Sequence, residues 1–174
     1  MSKKNNQVNE QTLESILFNC RNALRGAGGT EKNRDAVIGL VFIKFAGDKF
    51  EKRRKELITE HGDVPAFLEK KSFYLAKNVF YLQPHCRWPY IVKEANSNDI
   101  AVKLDTAMKD IEKDNPRLQG ALLSNFYSNL GADIRTLKNL IDEINKINEE
   151  RFQEEDLIGR VYEYFIQSYA VAST

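Results

Sequence analysis

Residues 24–32 read LRGAGGTEK, and three glycines beside a hydroxyl and the cations Arg25 and Lys32 are the ingredients of a phosphate-binding loop. Their order is wrong for one. The pattern GxxxxGK[ST] needs a Lys-Ser/Thr pair directly after its last glycine, and no glycine here is followed by one. The pattern GxGxxG needs a third glycine where Glu31 stands. Both loops leave a strand, whereas the residues before this stretch carry a helical period, so it reads as a turn between helices. His85-Cys86 offers two good metal ligands side by side, but no further ligand with zinc spacing surrounds them, and the other histidine, His61, is far away. Ser124 and Ser128 lack the glycines of a nucleophile elbow. The carboxylates are scattered along helix faces, where charge is ordinarily solvated. No catalytic, cofactor-binding or metal-binding set is read from these residues.

Cations are the other chemistry on offer. Lys52-Arg53-Arg54-Lys55 follow almost directly on the apolar run GLVFIKFAG at 39–47. With Arg21, Arg25, Lys32 and Arg34 they could grip the phosphates of DNA. They could equally be solvated helix faces, with Glu51 and Glu56 at i,i+4 spacing offsetting the charge. Formal net charge is +1, so no global field draws a polyanion to the chain. Through Glu60 there are 12 Lys/Arg against 8 Asp/Glu, and beyond it 14 against 17, so the basic character sits in the N-terminal third. Tyr74, Phe80, Tyr81, Trp88 and Tyr90 cluster in a loop-rich region. They suit either a protein-docking surface or the filling of a gap in the core.

These side chains need elements to hold them, and the periodicity is helical nearly throughout. Leu13, Ile16, Leu17, Cys20 and Leu24 make a first amphipathic helix. After the glycine turn, with Thr30 as cap, a second helix runs from about Glu31 to the Glu60-His61-Gly62 break. Ile38, Val41, Phe42, Phe45 and Ala46 give it one apolar face, and Val37, Leu40 and Ile43 extend that to most sides, as in the central helix of a bundle. Past Phe50 the apolar positions thin out, so the helix is expected to leave the core there. A short helix is expected at Pro65–Lys71. In NVFYLQPHCRWPYIV the β-formers and the helix breakers Pro84 and Pro89 predict a minor β element near residues 79–92. Ile100, Leu104, Met108 and Ile111 form a helix ending at Asn115-Pro116. A shorter helical stretch carries Leu118, Leu122, Leu123 and Phe126. Asp133 caps a helix with Leu137, Leu140, Ile141 and Ile144, and a last one carries Leu157 to Ile166. The expectation is a mainly α domain, a bundle of about six helices.

The chain has 174 residues, 42% hydrophobic and 29% charged, which suits one globular domain. Two cysteines make no disulfide framework, and MSKKNNQVNEQ has no apolar signal core. No apolar run is long enough to span a bilayer. These readings predict a cytoplasmic protein with no membrane partner.

Four stretches in order carry a family resemblance: LRGAGG, then AVIGLVFIKFAGDKFEKRRKEL, then IAVKLDTAMKDIEKDNPRLQGAL, then DLIGRVYEYFIQSYA. From about Leu13 to Ala170 the sequence resembles the N-terminal helical domain of the modification subunit of type I restriction-modification systems, the N6-adenine DNA methyltransferases. The resemblance implies a parent enzyme that transfers a methyl group from S-adenosylmethionine to adenine N6 in DNA. It implies DNA, the specificity subunit, the restriction subunit and the chain's own catalytic domain as partners. Neither the family's cofactor loop nor its Asn-Pro-Pro-aromatic motif is found. The nearest match, Asp114-Asn115-Pro116-Arg117, lacks the second proline and the aromatic. The expectation is thus residues 1–12 loosely held, 13–170 the helical domain, no cofactor in this portion, no activity of its own, and a catalytic domain that would follow residue 174. The surplus aromatics Tyr162, Tyr164 and Phe165 are expected at the seam with that domain.

Overall fold

A computed structural model describes residues 12–147. Seven α-helices are found among them: α1 (Leu13–Ala23), α2 (Thr30–His61), α3 (Pro65–Leu68), α4 (Lys71–Leu75), α5 (Trp88–Glu94), α6 (Ile100–Asp114) and α7 (Ile134–Asn145). Three 3₁₀ turns link them at Pro84–Cys86, Pro116–Leu118 and Tyr127–Asn129. The mainly α expectation holds. The expected last helix and its seam lie outside the described residues, as do all but Thr12 of the residues 1–12 expected to be loosely held.

Helix α2 is the strut. Its 32 residues span about 48 Å, and α1, α5 and α7 pack on it. Val37, Leu40, Val41 and Ile43 are fully buried, while Ile38, Phe42 and Phe45 are half-buried. The core-facing side is therefore rotated from the face centred on Phe42 and Phe45. Lys44, inside the apolar run, is buried and paired with Asp48 one turn on, at 2.9 Å. Burial also continues past Phe50 to Arg53 and Leu57, beyond the expected exit point. Two glycines on α2 admit close neighbours. A Cβ on Gly39 would stand 2.6 Å from the Tyr127 hydroxyl, and one on Gly47 would stand 3.0 Å from Trp88 Cβ. Helices α1 and α7 lie along each other and bury Leu13, Ile16, Leu17 and Cys20 against Leu137, Leu140, Ile141 and Ile144. Each such side chain contributes about 1.5–3 kcal/mol. Thr12 caps α1 and Asp133 caps α7 through their side chains, whereas Thr30 is already inside α2, whose N-cap is Gly29.

The expected β element is corrected. Among the described residues there is no strand. Residues 79–83 have no regular secondary structure, and Pro84 and Pro89 start helical turns instead of breaking them. Proline at the first helical positions loses only an N–H that has no intrahelical partner anyway. The short helix expected at Pro65–Lys71 is split into α3 and α4. The helix expected over Leu118–Phe126 is also absent. Pro116 and Gly120, the latter at φ +76°, hold that stretch to turns.

Candidate nucleic-acid interface

The eight cations singled out from sequence fall into two groups set by α2. Arg21 and Arg25 at the end of α1, with Lys32 and Arg34 at the start of α2, surround the glycine turn. Lys52, Arg53, Arg54 and Lys55 lie five to six turns further along α2, about 27–35 Å from Lys32 and Arg34. The sequence run thus makes two patches instead of one.

The first patch is held by Asn33. Its Nδ2 donates to the carbonyls of Leu24 (3.1 Å) and Gly28 (3.2 Å), and its Oδ1 accepts from the Gly28 N–H (3.0 Å). That closes LRGAGG into a turn and accounts for Gly28, where a Cβ would stand 2.9 Å from Asn33 Oδ1, while Gly26 takes a positive φ of +83°. Arg25 and Lys32 are exposed, and Arg21 and Arg34 are half-buried. Arg25 reaches Asn22 Oδ1 at 3.2 Å, and Arg34 reaches Asp35 at 3.2 Å.

In the second patch the four neighbours divide by helical position. Arg53 lies three residues after Phe50 and four before Leu57, on the buried side, and is 7% exposed. Its Nε donates to the Phe73 carbonyl (3.0 Å) and its guanidinium meets Glu56 (3.1 Å). Arg53 is therefore a strut between α2 and α4 and does not face solvent. Arg54 is half-buried, and its Nε is buried with no hydrogen-bond partner. Lys52 and Lys55 are exposed and enter no ion pair among the described residues. Lys49, which the sequence reading passed over, is exposed one turn before them, with its ammonium 5.0 Å from the Phe45 ring centre. The spacing 45–49–52 could have signalled it.

The aromatics are mostly core. Phe50 is stacked on Tyr74 at 4.5 Å, with Tyr81 edge-on at 6.1 Å and the Arg87 guanidinium 4.5 Å from its face. Tyr74 donates to the Leu68 carbonyl at 2.6 Å. Burial and the Glu69 carboxylate push the Tyr81 hydroxyl up to about 12, so it stays a neutral donor. Trp88 is buried, and Phe80 and Tyr90 are half-buried. Phe50, Tyr74 and Tyr81 thus pack together at α3 and α4, and Phe80 lies against Phe42 of α2.

The residues matched to the family motifs also have structural duties. Asp105 accepts from the N–H groups of Tyr127 (2.8 Å) and Ser128 (3.0 Å), and Tyr127 donates to the Ala36 carbonyl (2.7 Å). Asn115 is 1% exposed, and its amide bonds only to backbone, so it is no methyl-transfer residue. A cleft of about 1020 Å³ runs between the outer side of α6 and the loop 116–128, with Val102, Leu122 and Leu123 beside Lys109 and Lys113. Among the described residues no helix is long and apolar enough to cross a membrane. One cluster of metal-ligating types was missed in sequence: Asp110 joins His85 and Cys86.

Comparison with known proteins agrees with this architecture. Residues 13–144 match the family described as the HsdM N-terminal domain. The chain is also 30% identical, over 170 residues, to the type I restriction enzyme MjaIX methylase subunit of Methanocaldococcus jannaschii. That alignment takes in 88% of this chain and 30% of the relative, so the chain spans about a third of the relative's length.

Proposed function

Starting from the fact that the chain belongs to the HsdM N-terminal domain family, we propose that it is the DNA-clamping and assembly domain of a type I adenine-specific DNA methyltransferase subunit. In this reading the parent enzyme transfers a methyl group from S-adenosylmethionine to adenine N6. Its chemistry and cofactor belong to the part of such a subunit beyond the N-terminal domain. The target base must leave the stack, and the duplex must be held while it does.

The observation that carries the proposal is the sidedness of α2. The helix is buried along one side as far as Leu57 and carries the exposed ammonium groups of Lys49, Lys52 and Lys55 on its outside. A packed rod presents charges at fixed spacing, at low entropic cost to the contact. Arg34 and Lys52 are 18 residues, five full turns, apart on the same side, about 27 Å or about eight base pairs of B-DNA. Arg25 and Lys32 extend the cationic surface at the turn.

The test uses the whole methylase subunit assembled with its specificity subunit, comparing the original with K52E/K55E. DNA affinity measured across a salt series should fall, and the slope of log affinity against log salt should shrink by about one for each lysine removed. Unchanged affinity and slope would overturn the proposal.

A second reading, in which the domain mainly docks the specificity subunit, is favoured by the α6 cleft, where Val102 is 56% exposed beside Leu122 and Leu123. In that case Val102→Glu blocks assembly and K52E/K55E leaves DNA affinity intact.

A further inference from the structure

Three side chains with metal-ligating atoms meet where the 3₁₀ turn Pro84–Cys86 lies on α6. We propose that His85, Cys86 and Asp110 bind one divalent ion of the zinc class. A ring nitrogen of His85, Sγ of Cys86 and a carboxylate oxygen of Asp110 all lie within 4.8 Å of one another. His85 Nε2 and Asp110 Oδ2 touch directly, at 2.6 Å. Tetrahedral zinc with bonds of about 2.0–2.3 Å sets its ligand atoms about 3.3–3.8 Å apart. Side-chain movements of about an ångström therefore convert the cluster into a ligand set. The cost is small. The His85–Asp110 hydrogen bond opens, and the thiol gives up a weak bond to the Ala107 carbonyl at 3.7 Å.

The donor types select the ion. Imidazole nitrogen, thiolate and carboxylate suit zinc, whereas calcium and magnesium want oxygen throughout. One thiolate and one carboxylate balance a 2+ charge, and a neutral complex suits a position where Cys86 is buried and His85 and Asp110 are half-buried. The partly open side lets the ion enter past His85 and leaves a fourth position for water. Without metal, burial and then the Asp110 charge push the Cys86 thiol up to about 12, so the sulfur carries its proton. Binding replaces that proton by the metal and releases it to solvent. Pro84 begins the turn that sets His85 and Cys86 side by side, and Asp110 comes from an element 24 residues later. The ion would thus tie the segment 79–83 and its turn to α6.

Cobalt(II) is the probe. Titrated into the reduced chain, it should give a saturable thiolate-to-cobalt charge-transfer band at one equivalent, and zinc should displace it. Cys86→Ser should abolish the band, and His85→Ala and Asp110→Asn should each weaken binding by more than the roughly 10–100-fold typical of outer-shell losses. His61→Ala should change nothing. His85 is one-third exposed, so its variant tests the site even if Cys86→Ser fails to fold, with circular dichroism as the check. Absence of the band at stoichiometric cobalt, or a band that survives both Cys86→Ser and His85→Ala, would overturn the proposal.

Discussion

Asn115 and Tyr81 exchange a pair of hydrogen bonds. The Tyr81 N–H donates to Asn115 Oδ1 at 2.9 Å, and Asn115 Nδ2 donates to the Tyr81 carbonyl at 2.9 Å. Nδ2 also donates to the Ile111 carbonyl at 2.8 Å, so one side chain ends α6 and fastens the segment 79–83 to it. The amide does for residue 81 what a neighbouring strand would do. Asn115→Ala strips three buried backbone groups of their partners. Each such group costs about 1–3 kcal/mol, so a loss of about 3 kcal/mol or more is expected in chemical denaturation.

Gly39 and Tyr127 should prove coupled. Gly39→Ala drives a methyl to 2.6 Å from the Tyr127 hydroxyl and 3.0 Å from Met108 Cε, an overpacking expected to cost about 1–3 kcal/mol. Tyr127→Phe loses the bond to the Ala36 carbonyl, at about 1 kcal/mol. The double variant should be more stable than the sum of the two costs, because removing the hydroxyl makes room for the methyl. Simple additivity in a double-mutant cycle would mean that the two side chains do not meet.

Phe50, held between Tyr74 and Arg87, is the aromatic anchor of α2. Phe50→Ala should destabilise by about 3–5 kcal/mol, the usual loss at a filled aromatic core site. Phe42→Ala and Phe45→Ala act at half-buried positions and should each cost less than Phe50→Ala. Urea midpoints of the three variants give the ranking.

The basic run should divide in stability as it does in burial. Arg53→Ala removes the bonds to Phe73 and Glu56 and leaves a gap beside Phe50 and Leu57, for about 2 kcal/mol. Lys52→Ala and Lys55→Ala should stay within about 0.5 kcal/mol, as exposed substitutions do. Thermal melts of the three separate variants decide it.

Acid should act through Asp114. Burial works against its charge, but hydrogen bonds from Lys71 (2.6 Å) and Gln83 (2.6 Å) more than offset this and hold its carboxyl below the usual range. The native state thus binds this proton less readily than the unfolded chain. Its contribution is present in full above about pH 4 and is lost as pH falls through the depressed native value. Denaturation midpoints between pH 5 and pH 2.5 should fall more steeply for the original chain than for Asp114→Asn.

Much of the fold was legible because α1, α6 and α7 carry their apolar residues at clean helical spacing, and α2 lies between two glycine breaks. The short elements were not. Pro84 and Pro89 look the same in sequence whether they stop a helix or start one, and β-forming residues at 79–82 do not reveal that a side-chain amide stands in for the partner strand. Within the site, Arg53 could have been separated from Lys52 and Lys55 by its place between Phe50 and Leu57 on one stripe. Asp110 could not have been joined to His85 and Cys86, because only the packing of α6 against the turn brings them together.

Trp88 is the only tryptophan in the chain, and its indole N–H donates to Asn145 Oδ1 at the end of α7, at 2.8 Å. The bond gives the protein a built-in optical reporter. The residue is 4% exposed, with its Cβ and backbone against Gly47 of α2, so its ultraviolet emission should lie well to the blue of a solvated indole. If the end of α7 lifted away, the N–H would lose its acceptor and water would reach the ring, shifting the emission to the red while most helices stayed intact. Fluorescence during stopped-flow mixing with a partner subunit could therefore time the movement of α7 without any attached label.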